Sequence, residues 1–600
     1  MNGDPSMDSQ AALAAALELH HAGRLVEADE AYRRIAADST KGADALFLRG
    51  VIALNDRRPE EAARLMARAI ALQPSAGHFY VDRGTALQAL DLLDAATRSV
   101  QRAFAFERDS PAASHNLGQI AYAFARLSVH QRDIGDLLSA ERSMRRALCL
   151  GPSLPEAHFA RGTVTFSQGL CVPACIAFHR AVQLRPDFAA AASDYLFVLC
   201  FRDDVSREDV FAAHRAFDAK HMQPIPRLPP RPRAGEDPSR PLVVGYLSPD
   251  FRAHPGGNFL SPMFMHHDPA HFRVVAYYSN DINDPFTELC SSTAHAWVPC
   301  KTMSDQELAE RIRSDRIDIL VECAGHMSRN RLAVFARRPA PVQVSFPLYP
   351  NTTGLESIDY RIGDPYFTPP WLDRFYSEKI MRLPDTCACY QPGYEVAEPA
   401  ERLPALANGF VTFGSFNNIA KLSPTTLRMW AAILRAVPNS RLVIKWFGLG
   451  VDDPTWLSDR FQAEGIGCDR LDFRGRSPGV YAPYRDLDIC LDPFPANGGT
   501  TTSDALWMGV PVVTRAGDTT FSRAGLGLVT NVGLPELAAN DEAGYVDLAV
   551  SLARDLDRLA SLRHGLRERF VRSPMMDGKR YLRNLEAGYR DAWTRWCEGG

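Results

Sequence analysis

The sequence of 600 residues lacks a long apolar run and lacks a strong excess of either charge. A membrane-spanning helix needs about 18 to 20 consecutive apolar residues, and the chain contains no such stretch. The formal net charge is −4 and the isoelectric point is about 6.5. A basic surface that would attract nucleic acid or lipid headgroups is therefore not expected. We predict a protein whose partners include neither nucleic acid nor a membrane.

Paired cysteines at metal-binding or redox spacing are also missing. The chain has 12 cysteines, and its closest pairs, Cys171/Cys175 and Cys387/Cys389, do not form a CxxC motif. In a chain of this size, that spacing favours reduced thiols and argues against a structural zinc site. The first ten residues are polar and acidic, unlike a secretory signal peptide. These features predict a cytoplasmic protein.

An internal repeat occupies residues 1 to about 205, which are rich in alanine and leucine. Small residues recur at Gly50, Gly84, Gly118 and Gly162, with separations of 34, 34 and 44 residues, and two alanine series follow the same register. The single step of 44 indicates a ten-residue insertion around residues 128–137. Small residues at fixed places allow two antiparallel helices to approach closely. This register resembles the tetratricopeptide repeat in about five units, which implies a concave groove that binds polypeptide.

The chain changes character after the repeats. Residues 206–241 begin as helix and continue as a proline-rich linker, because prolines and charges from Pro224 to Pro241 exclude a regular element. Strand and helix patterns then alternate in two sets, at 242–395 and 396–575, before a closing helix at 576–600. Alternation of this kind predicts two doubly wound parallel sheets. The fold class is therefore an α-helical repeat array followed by an α/β unit of two Rossmann-like lobes with a cleft between them, the GT-B arrangement.

The second lobe contains a glycine- and threonine-rich loop between two predicted strands, Ile489–Leu491 and 510–514. Asn497, Gly498 and Gly499 interrupt the regular pattern, and Thr500 and Thr501 follow. We expect Ser503 and Asp504 to cap a helix that runs to Gly509. Glycines allow an anion to approach the backbone, and the start of a helix presents free N–H groups. The loop suits a phosphate or pyrophosphate, although a polar loop that only caps a helix has the same composition.

Other polar residues follow predicted strands, where ligands of such sheets bind. The first lobe places His254, His326 and the loop ending at Thr353-Gly354 after three of its strands. The second lobe places Asn417, Asn418 and Lys421 between a strand and a helix, where the lysine could neutralise a leaving diphosphate. Further candidate phosphate partners are Arg474, Arg476 and Arg523. The acidic pair Asp486 and Asp488 could indicate a metal-binding DxD motif, but it leads into a strand, so we interpret it as structural.

Several segments together resemble the protein O-GlcNAc transferase and SPINDLY family. They read GYLSPDFRAHP, ECAGHMSRN, RPAPVQVSFPLYPNTTG, VTFGSFNNIAKLSPTTLRMWAAILRAVPNS and LDPFPANGGTTTSDALWMGVPVVT, in this order from residue 245. With the repeats in front, the resemblance extends over nearly the whole chain. It implies a glycosyltransferase that moves a sugar from a nucleotide donor to Ser or Thr hydroxyls of proteins, with inversion and without a metal or other cofactor.

The resemblance also implies roles for individual residues. Lys421 matches the lysine that stabilises the departing diphosphate, and Thr500 and Thr501 match phosphate-binding threonines. Asp504 matches the carboxylate that holds the ribose, and His254 matches the active-site histidine. Asn417, Asn418, Gly498, Gly499, Thr353, Gly354, Arg476 and Arg523 are the remaining expected donor-binding residues. The general base stays open among His254, His326 and the donor phosphate.

Two departures from the animal enzymes, together with agreements that point to both branches of the family, leave the donor open. The animal O-GlcNAc transferases have tyrosine before the lysine and histidine before the two threonines, where this chain has Ala420 and Gly499. Pro255 agrees with the GlcNAc enzymes, whereas PNTTG and FGSFNN agree with SPINDLY. We expect UDP-GlcNAc as donor, with GDP-fucose, or another nucleotide sugar in a flagellin glycosyltransferase, as alternatives. A repeat scaffold with an inactive transferase domain is the alternative of a different class.

Overall fold

The computed structural model describes residues 5–38, 41–393, 395, 397–446 and 455–599. Contacts between Cα atoms divide the chain into two compact units, residues 1–164 with 183–185, and residues 165–182 with 186–600. Within the described residues, no helix combines the length and the apolar character that a membrane crossing requires.

Ten helices in five consecutive pairs form the predicted repeats. They are α1 (Pro5–His21), α2 (Leu25–Asp38), α3 (Gly42–Asn55), α4 (Pro59–Leu72), α5 (Gly77–Ala89), α6 (Leu93–Ala103), α7 (Pro111–Asp133), α8 (Leu137–Leu150), α9 (Pro155–Ser167) and α10 (Cys171–Leu184). The insertion lengthens one helix, because α7 has 23 residues and α5 has 13. The repeated alanines, such as Ala62, Ala96 and Ala140, are fully buried.

The recurring glycines do not all serve close helix packing. At Gly84 a Cβ atom would lie 2.3 Å from Val100 Cγ2, so only glycine allows α5 and α6 to approach as they do. At Gly118 a Cβ atom would meet nothing within 4 Å. The 34-residue register is therefore confirmed as a structural repeat, but the reason for glycine differs from one unit to the next.

The second unit departs from the predicted boundary at residue 205. Its helical part starts at Thr165 and includes most of α10 together with α11 (Ala189–Leu199), α12 (Arg207–Phe217) and a π-helical turn, Asp218–Met222. The proline-rich stretch has no regular element, as predicted, but it is not a free linker. Arg231 and Arg240 both bind the buried carboxylate of Asp318, at 2.8 and 2.7 Å. Long-range contacts of this kind attach these segments to the α/β lobes, and sequence periodicity does not reveal them.

The first lobe is a seven-stranded parallel sheet with the order β3-β2-β1-β4-β5-β6-β7. Its strands are β1 (Leu242–Ser248), β2 (Phe272–Tyr278), β3 (Ala296–Pro299), β4 (Ile319–Glu322), β5 (Val342–Ser345), β6 (Tyr360–Gly363) and β7 (Lys379–Arg382). Its helices are α13 (Gly257–Met265), α14 (Pro285–Thr293), α15 (Asp305–Ser314) and α16 (Leu332–Ala336). Helix α15 begins with a capping box between Ser304 and Glu307, so the sequence defines its start closely.

The second lobe is a six-stranded parallel sheet with the order β10-β9-β8-β11-β12-β13. Its strands are β8 (Thr412–Ser415), β9 (Arg441–Lys445), β10 (Leu471–Arg474), β11 (Ile489–Leu491), β12 (Val512–Arg515) and β13 (Ala538–Ala539). Its helices are α17 (Pro404–Asn408), α18 (Pro424–Ala436), α19 (Thr455–Ala463), α20 (Thr500–Trp507), α21 (Ala524–Asn531), α22 (Glu542–Arg554) and α23 (Leu556–Val571). The segment 383–403 joins the lobes without regular structure, and its residues 394 and 396 lie outside the described ones.

The closing helix, α24 (Gly578–Cys597), packs on the first lobe. Glu586 accepts a hydrogen bond from His267 at 2.8 Å, and the Trp593 ring lies 4.6 Å from the Arg240 guanidinium. Trp593 itself is fully buried. The chain therefore ends against the lobe in which its first strand lies, so the two lobes are tied together by the segment 383–403 and by α24.

Candidate functional site

Both sheets have a switch point, where the strand order reverses and a crevice opens at the carboxyl ends. In the second lobe this point lies between β8 and β11, which are neighbours in the sheet. The loops that follow these two strands carry Asn417 to Lys421 and Asp492 to Thr501. Ligands of doubly wound sheets bind at this position. The topology therefore brings together the two segments that the sequence pattern had identified separately.

The glycine- and threonine-rich loop leads directly into α20. This helix begins at Thr500, with Gly499 as N-cap, so the prediction that Ser503 and Asp504 cap it is wrong. The reason is that Thr500 and Thr501 themselves adopt helical geometry in the first turn. A Cβ atom at Gly498 would lie 2.4 Å from Thr502 Oγ1, whereas one at Gly499 would meet nothing within 4 Å. The helix therefore presents its N-terminal N–H groups beside an open stretch of backbone, which suits an anion.

Lys421 lies at the end of a short 3-10 helix, Ile419–Lys421, just before α18. Its ammonium donates to the carbonyl of Asn497 at 2.7 Å and to Asn417 Oδ1 at 3.3 Å. The same Asn417 oxygen accepts a hydrogen bond from Thr501 Oγ1 at 2.9 Å. Burial lowers the pKa of Lys421 to about 8, against the opposing influence of Asp492. The lysine is thus a cation held beside the start of α20. With a pKa of about 8, it begins to lose its proton just above neutral pH.

Asp492 is a member of this site that sequence reasoning missed. It follows β11 directly and is 1% exposed. Its carboxylate accepts hydrogen bonds from the Gly498 N–H at 2.6 Å and from Thr514 Oγ1 at 2.7 Å. Burial raises the pKa of Asp492 to about 6, while these hydrogen bonds and Lys421 lower it. Asp492 therefore fixes the glycine loop and offsets the charge of the lysine. Its position immediately after a buried strand is the sequence feature that could have identified it as a site residue.

Asp504 lies one turn into α20 and is 4% exposed. The hydroxyl of Tyr390, from the segment that joins the lobes, donates to Asp504 Oδ1 at 2.5 Å. Burial raises the pKa of Asp504 to about 7, and the Tyr390 hydrogen bond lowers it. Tyr390 also lies 3.1 Å from the hydroxyl of Tyr481. The expected ribose-binding carboxylate is therefore part of a buried tyrosine cluster that the sequence analysis did not identify.

His254 follows β1 in the first lobe, in a loop that reaches the second lobe. The carbonyl of its neighbour Pro255 accepts a hydrogen bond from Thr500 Oγ1 at 2.9 Å. His254 Nδ1 accepts from the Gly256 N–H at 3.1 Å, so the neutral ring carries its proton on Nε2. Burial lowers the pKa of this histidine, against a nearby Asp250. Burial therefore favours the neutral ring, and in this tautomer its Nε2 is a hydrogen-bond donor.

His326 does not join this group. Its ring is fully buried, with Nε2 donating to the Thr353 carbonyl at 2.8 Å and Nδ1 accepting from the Ser193 hydroxyl at 2.9 Å. Burial lowers its pKa well below the ordinary value. Both ring nitrogens are engaged, so the geometry argues against His326 as a base and supports a role in attaching α11 to the first lobe.

Thr353 and Gly354 likewise contact structural partners. Thr353 is fully buried, and both its hydroxyl and its N–H donate to Glu378 Oε1, at 2.5 and 2.7 Å. Gly354 has a φ of +79°, and a Cβ atom there would lie 2.4 Å from the carbonyl oxygen of His214 on α12. Only glycine allows this approach. Asn418 also has a local partner, because its Oδ1 caps the 3-10 helix at the Ala420 N–H, at 2.9 Å.

Arg523 and Arg474 contact other partners than Lys421 does. Arg523 donates to the carbonyls of Tyr366 and Gly517, at 2.8 and 2.9 Å, and Arg476 is exposed. Arg474 binds Asp486 at 2.6 Å and lines a cavity of about 930 Å³. That cavity is lined by residues of β8, β9 and β10, and its lining does not include Asn417, Lys421 or Thr501. A cavity of about 10 Å³ adjoins Asn417 and Thr501.

The structure supports the structural interpretation of the Asp486 and Asp488 pair. Asp488 is fully buried and accepts from the N–H groups of Ala405 and Thr412, at 2.9 and 2.7 Å. Asp486 is paired with Arg474 instead. The two carboxylates therefore do not converge on a common point. Among the described residues, no group of three or more His, Cys, Asp or Glu side chains is arranged to hold a metal ion.

Comparison with known proteins assigns the chain to a family. The sequence model of Glycosyl transferase family 41 matches residues 218–390 and 399–585. A rice (Oryza sativa subsp. japonica) protein named as a probable UDP-N-acetylglucosamine–peptide N-acetylglucosaminyltransferase SPINDLY is 38% identical over 433 residues, which is 70% of this chain and 46% of the relative. An Arabidopsis thaliana relative named SEC, with the same probable activity, is 30% identical over 66% of this chain and 42% of its own length.

A solved structure extends the similarity to the fold. It is that of a mutant O-GlcNAc transferase from Thermobaculum terrenum, 31% identical, with a TM-score of 0.73 over 87% of this chain and 98% of that one. The chain spans about half the length of the curated relatives that it matches. Since the family model covers more than half of the chain, including both switch-point loops of the second lobe, the protein belongs to glycosyl transferase family 41.

Proposed function

We propose that the protein is a glycosyltransferase that moves a sugar from a nucleotide donor to Ser or Thr hydroxyls of a protein acceptor, with inversion and without a metal. The observation that carries the proposal is the position of Lys421. Its ammonium lies within hydrogen-bond distance of Asn497 and Asn417, beside the first turn of α20 and at the switch point of the sheet. A diphosphate bound to those N–H groups would place its developing charge next to the lysine.

The chemistry follows from this arrangement of charge. As the acceptor hydroxyl attacks the anomeric carbon, the bond to the diphosphate breaks and negative charge accumulates on the leaving oxygen. Preorganised positive charge and N–H dipoles stabilise that oxygen more in the transition state than in the ground state. Lys421, the N-terminus of α20 and the hydroxyl of Thr501 are the groups that we assign to this task. Asp504 is the group that we assign to the ribose.

His254 fits hydrogen-bond donation better than proton abstraction. Because Nδ1 accepts from the Gly256 N–H, a lone pair on Nε2 would require the opposite tautomer and the loss of that hydrogen bond. We therefore propose that Nε2–H of His254 orients the donor or the acceptor. With His326 buried, the donor phosphate is then the base that we favour.

UDP-GlcNAc is the donor that we propose first, because the SPINDLY and SEC relatives reported above carry that donor in their names. GDP-fucose is the second candidate, since Gly499 stands where the animal enzymes have histidine, and a CMP-linked sugar on flagellin is the third. The acceptor is proposed to bind the repeat helices, and the reaction to occur in the cytoplasm, where the 12 free cysteines would stay reduced.

A thermal-shift screen followed by a turnover assay tests the proposal. A ligand that binds the native state raises the melting temperature, so the purified chain is heated with UDP-GlcNAc, GDP-fucose and CMP-linked sugars in turn. The stabilising donor is then incubated with candidate acceptor proteins, and transfer is read by mass spectrometry. A melting shift with neither hydrolysis nor transfer would favour the inactive scaffold. No shift with any nucleotide sugar would contradict the proposed site.

A further inference from the structure

Helical segments that precede the α/β lobes contact the loop that carries Lys421 on both sides of the lysine. Cys171, the first residue of α10, donates its thiol hydrogen to the carbonyl of Ala420 at 2.9 Å. Asp203, which follows α11, accepts a hydrogen bond from the N–H of Thr425 at 3.0 Å. One contact lies immediately before Lys421 and the other four residues after it.

The corner between α9 and α10 approaches this loop through a glycine. Gly169 has a φ of +82°, and a Cβ atom there would lie 2.9 Å from Trp456 Cζ2 and 3.1 Å from Ile419 Cγ1. A side chain at this position would displace Ile419, two residues before Lys421. The corner is therefore shaped to lie on the 3-10 helix that ends in the lysine.

Apolar packing adds to these polar contacts. Ala420 is 2% exposed and belongs to a cluster with Phe201, Tyr349 and Phe521, and Cys171 packs against the same cluster. The residue before Lys421 is thus enclosed by side chains from helical segments and from both lobes. A small side chain at Ala420 is what allows the corner to come this close.

Asp203 also acts through charge. Thr425 is the second residue of α18, whose N-cap is Ser423, so the Asp203 carboxylate binds a free N–H group at the positive end of that helix. This interaction fixes where α18 begins and hence where the loop before it ends. With Cys171 holding Ala420, both ends of the short segment that contains Lys421 are fixed.

We propose that Asp203 and Cys171 are positioning residues, which hold the ammonium of Lys421 at the place where the leaving diphosphate develops its charge. The proposal rests on the proposed transferase function. Each acts through the loop that carries Lys421, by way of Ala420 and Thr425. Misplacement of a catalytic group by about 1 Å can cost about 100-fold in rate. Partial release of this loop should therefore reduce turnover more than donor binding.

Matched variants of the full-length chain test the proposal. Asp203→Ala removes the acceptor for the Thr425 N–H, and Asp203→Asn keeps an oxygen there. Asp204→Ala is the control, because the Asp204 carboxylate pairs with Arg202 at 2.5 Å rather than with α18. We expect Asp203→Ala to lower kcat about tenfold, when kcat is calculated per molecule that still binds the donor. The donor Kd should change less than about threefold. Asp203→Asn should recover most of the rate, and Asp204→Ala should match the unmodified protein.

A second readout does not depend on activity. The chain has seven lysines, so labelling of Lys421 by acetic anhydride can be followed by mass spectrometry across pH. Its pKa should rise from about 8 towards the ordinary value of about 10.4 in Asp203→Ala, because a released lysine is better solvated. If no nucleotide sugar is turned over, the proposed function fails while this titration still decides the positioning role.

Two results would overturn the positioning role. One is a loss of turnover in Asp203→Ala that is fully explained by a smaller fraction of folded protein, while the pKa of Lys421 is unchanged. The other is an equal loss in Asp203→Ala and Asp203→Asn. If Asp203→Ala does not fold, Cys171→Ala against Cys171→Ser replaces the pair, since serine keeps a donor for the Ala420 carbonyl, and the same outcomes apply.

Discussion

The protonation of Lys421 should produce an alkaline limit of activity at unusually low pH. Its pKa of about 8 follows from burial, and the charged form is the one that stabilises a leaving diphosphate. The plot of kcat/KM against pH reports groups of the free enzyme. At pH 9 a lysine of pKa about 8 is protonated in about one molecule in eleven, so kcat/KM should fall about tenfold from its plateau. With the ordinary value of about 10.4, the loss at pH 9 would be about 4%.

The assay is donor consumption measured from pH 6 to pH 10 at constant ionic strength. Lys421→Arg should remove the alkaline limit, because arginine stays charged throughout this range, although its different geometry should lower the plateau. Lys445 is the necessary control, since burial also lowers its pKa and its ammonium lies 5.5 Å from the centre of the Phe416 ring. Lys445→Met should keep the limit at the same pH. A flat profile to pH 9 in the unmodified protein, or a limit that moves with Lys445, would refute the assignment to Lys421.

Four further outcomes are expected. Lys421→Ala should lower kcat by about 10²- to 10³-fold with a smaller change in donor Kd, and near-normal kcat would make this lysine a structural residue. Tyr390→Phe should raise the pKa of Asp504 above its value of about 7, because the change removes a hydrogen bond to the carboxylate. As the pH falls, donor binding should therefore weaken at a higher pH than in the unmodified protein. An unchanged plot of donor Kd against pH would remove Asp504 from the ribose site. Turnover should persist in EDTA, because the acidic pair ahead of β11 already binds arginine and backbone partners, and a loss that Mg²⁺ or Mn²⁺ restores would contradict this. A chain that starts at residue 155 should keep donor hydrolysis, whereas one that starts at residue 206 should lose it with its fold, and equal activity of both would contradict the division of the chain.

Hydrophobic patterning was sufficient for the strands on either side of the glycine- and threonine-rich loop. The strand predicted at Ile489–Leu491 has the same bounds in the structure, and the one predicted at 510–514 is observed as Val512–Arg515. The sequence analysis did not identify β3, β6 and β7. Strands β3 and β7 lie at the two edges of the first sheet and are mostly exposed or half-buried, and β6 contains the charged Arg361, so none of the three is a continuous apolar run. The predicted closing helix at 576–600 is observed as Gly578–Cys597.

The candidate site was predicted in part. Gly498, Thr501, Asn417 and Lys421 do meet, because parallel strands that are neighbours at a switch point bring their following loops together. Tyr390 could not be connected with Asp504, because 114 residues separate them and no local pattern indicates their contact. The contact between His326 and Ser193 could not be predicted for the same reason, since 133 residues separate them.

The sequence by itself determined the order of the parts: a 34-residue repeat, an irregular proline-rich stretch, and two sets of alternating strands and helices. These are local properties, because helix and strand periods and turn residues are written in neighbouring positions. Only the tertiary structure decided that helices from Thr165 onward belong with the lobes, that the charge of Asp492 acts on Lys421, and that Cys171 and Asp203 hold the loop between them. Burial and partner choice depend on residues far apart in the chain, and these set the charge and the position of the lysine.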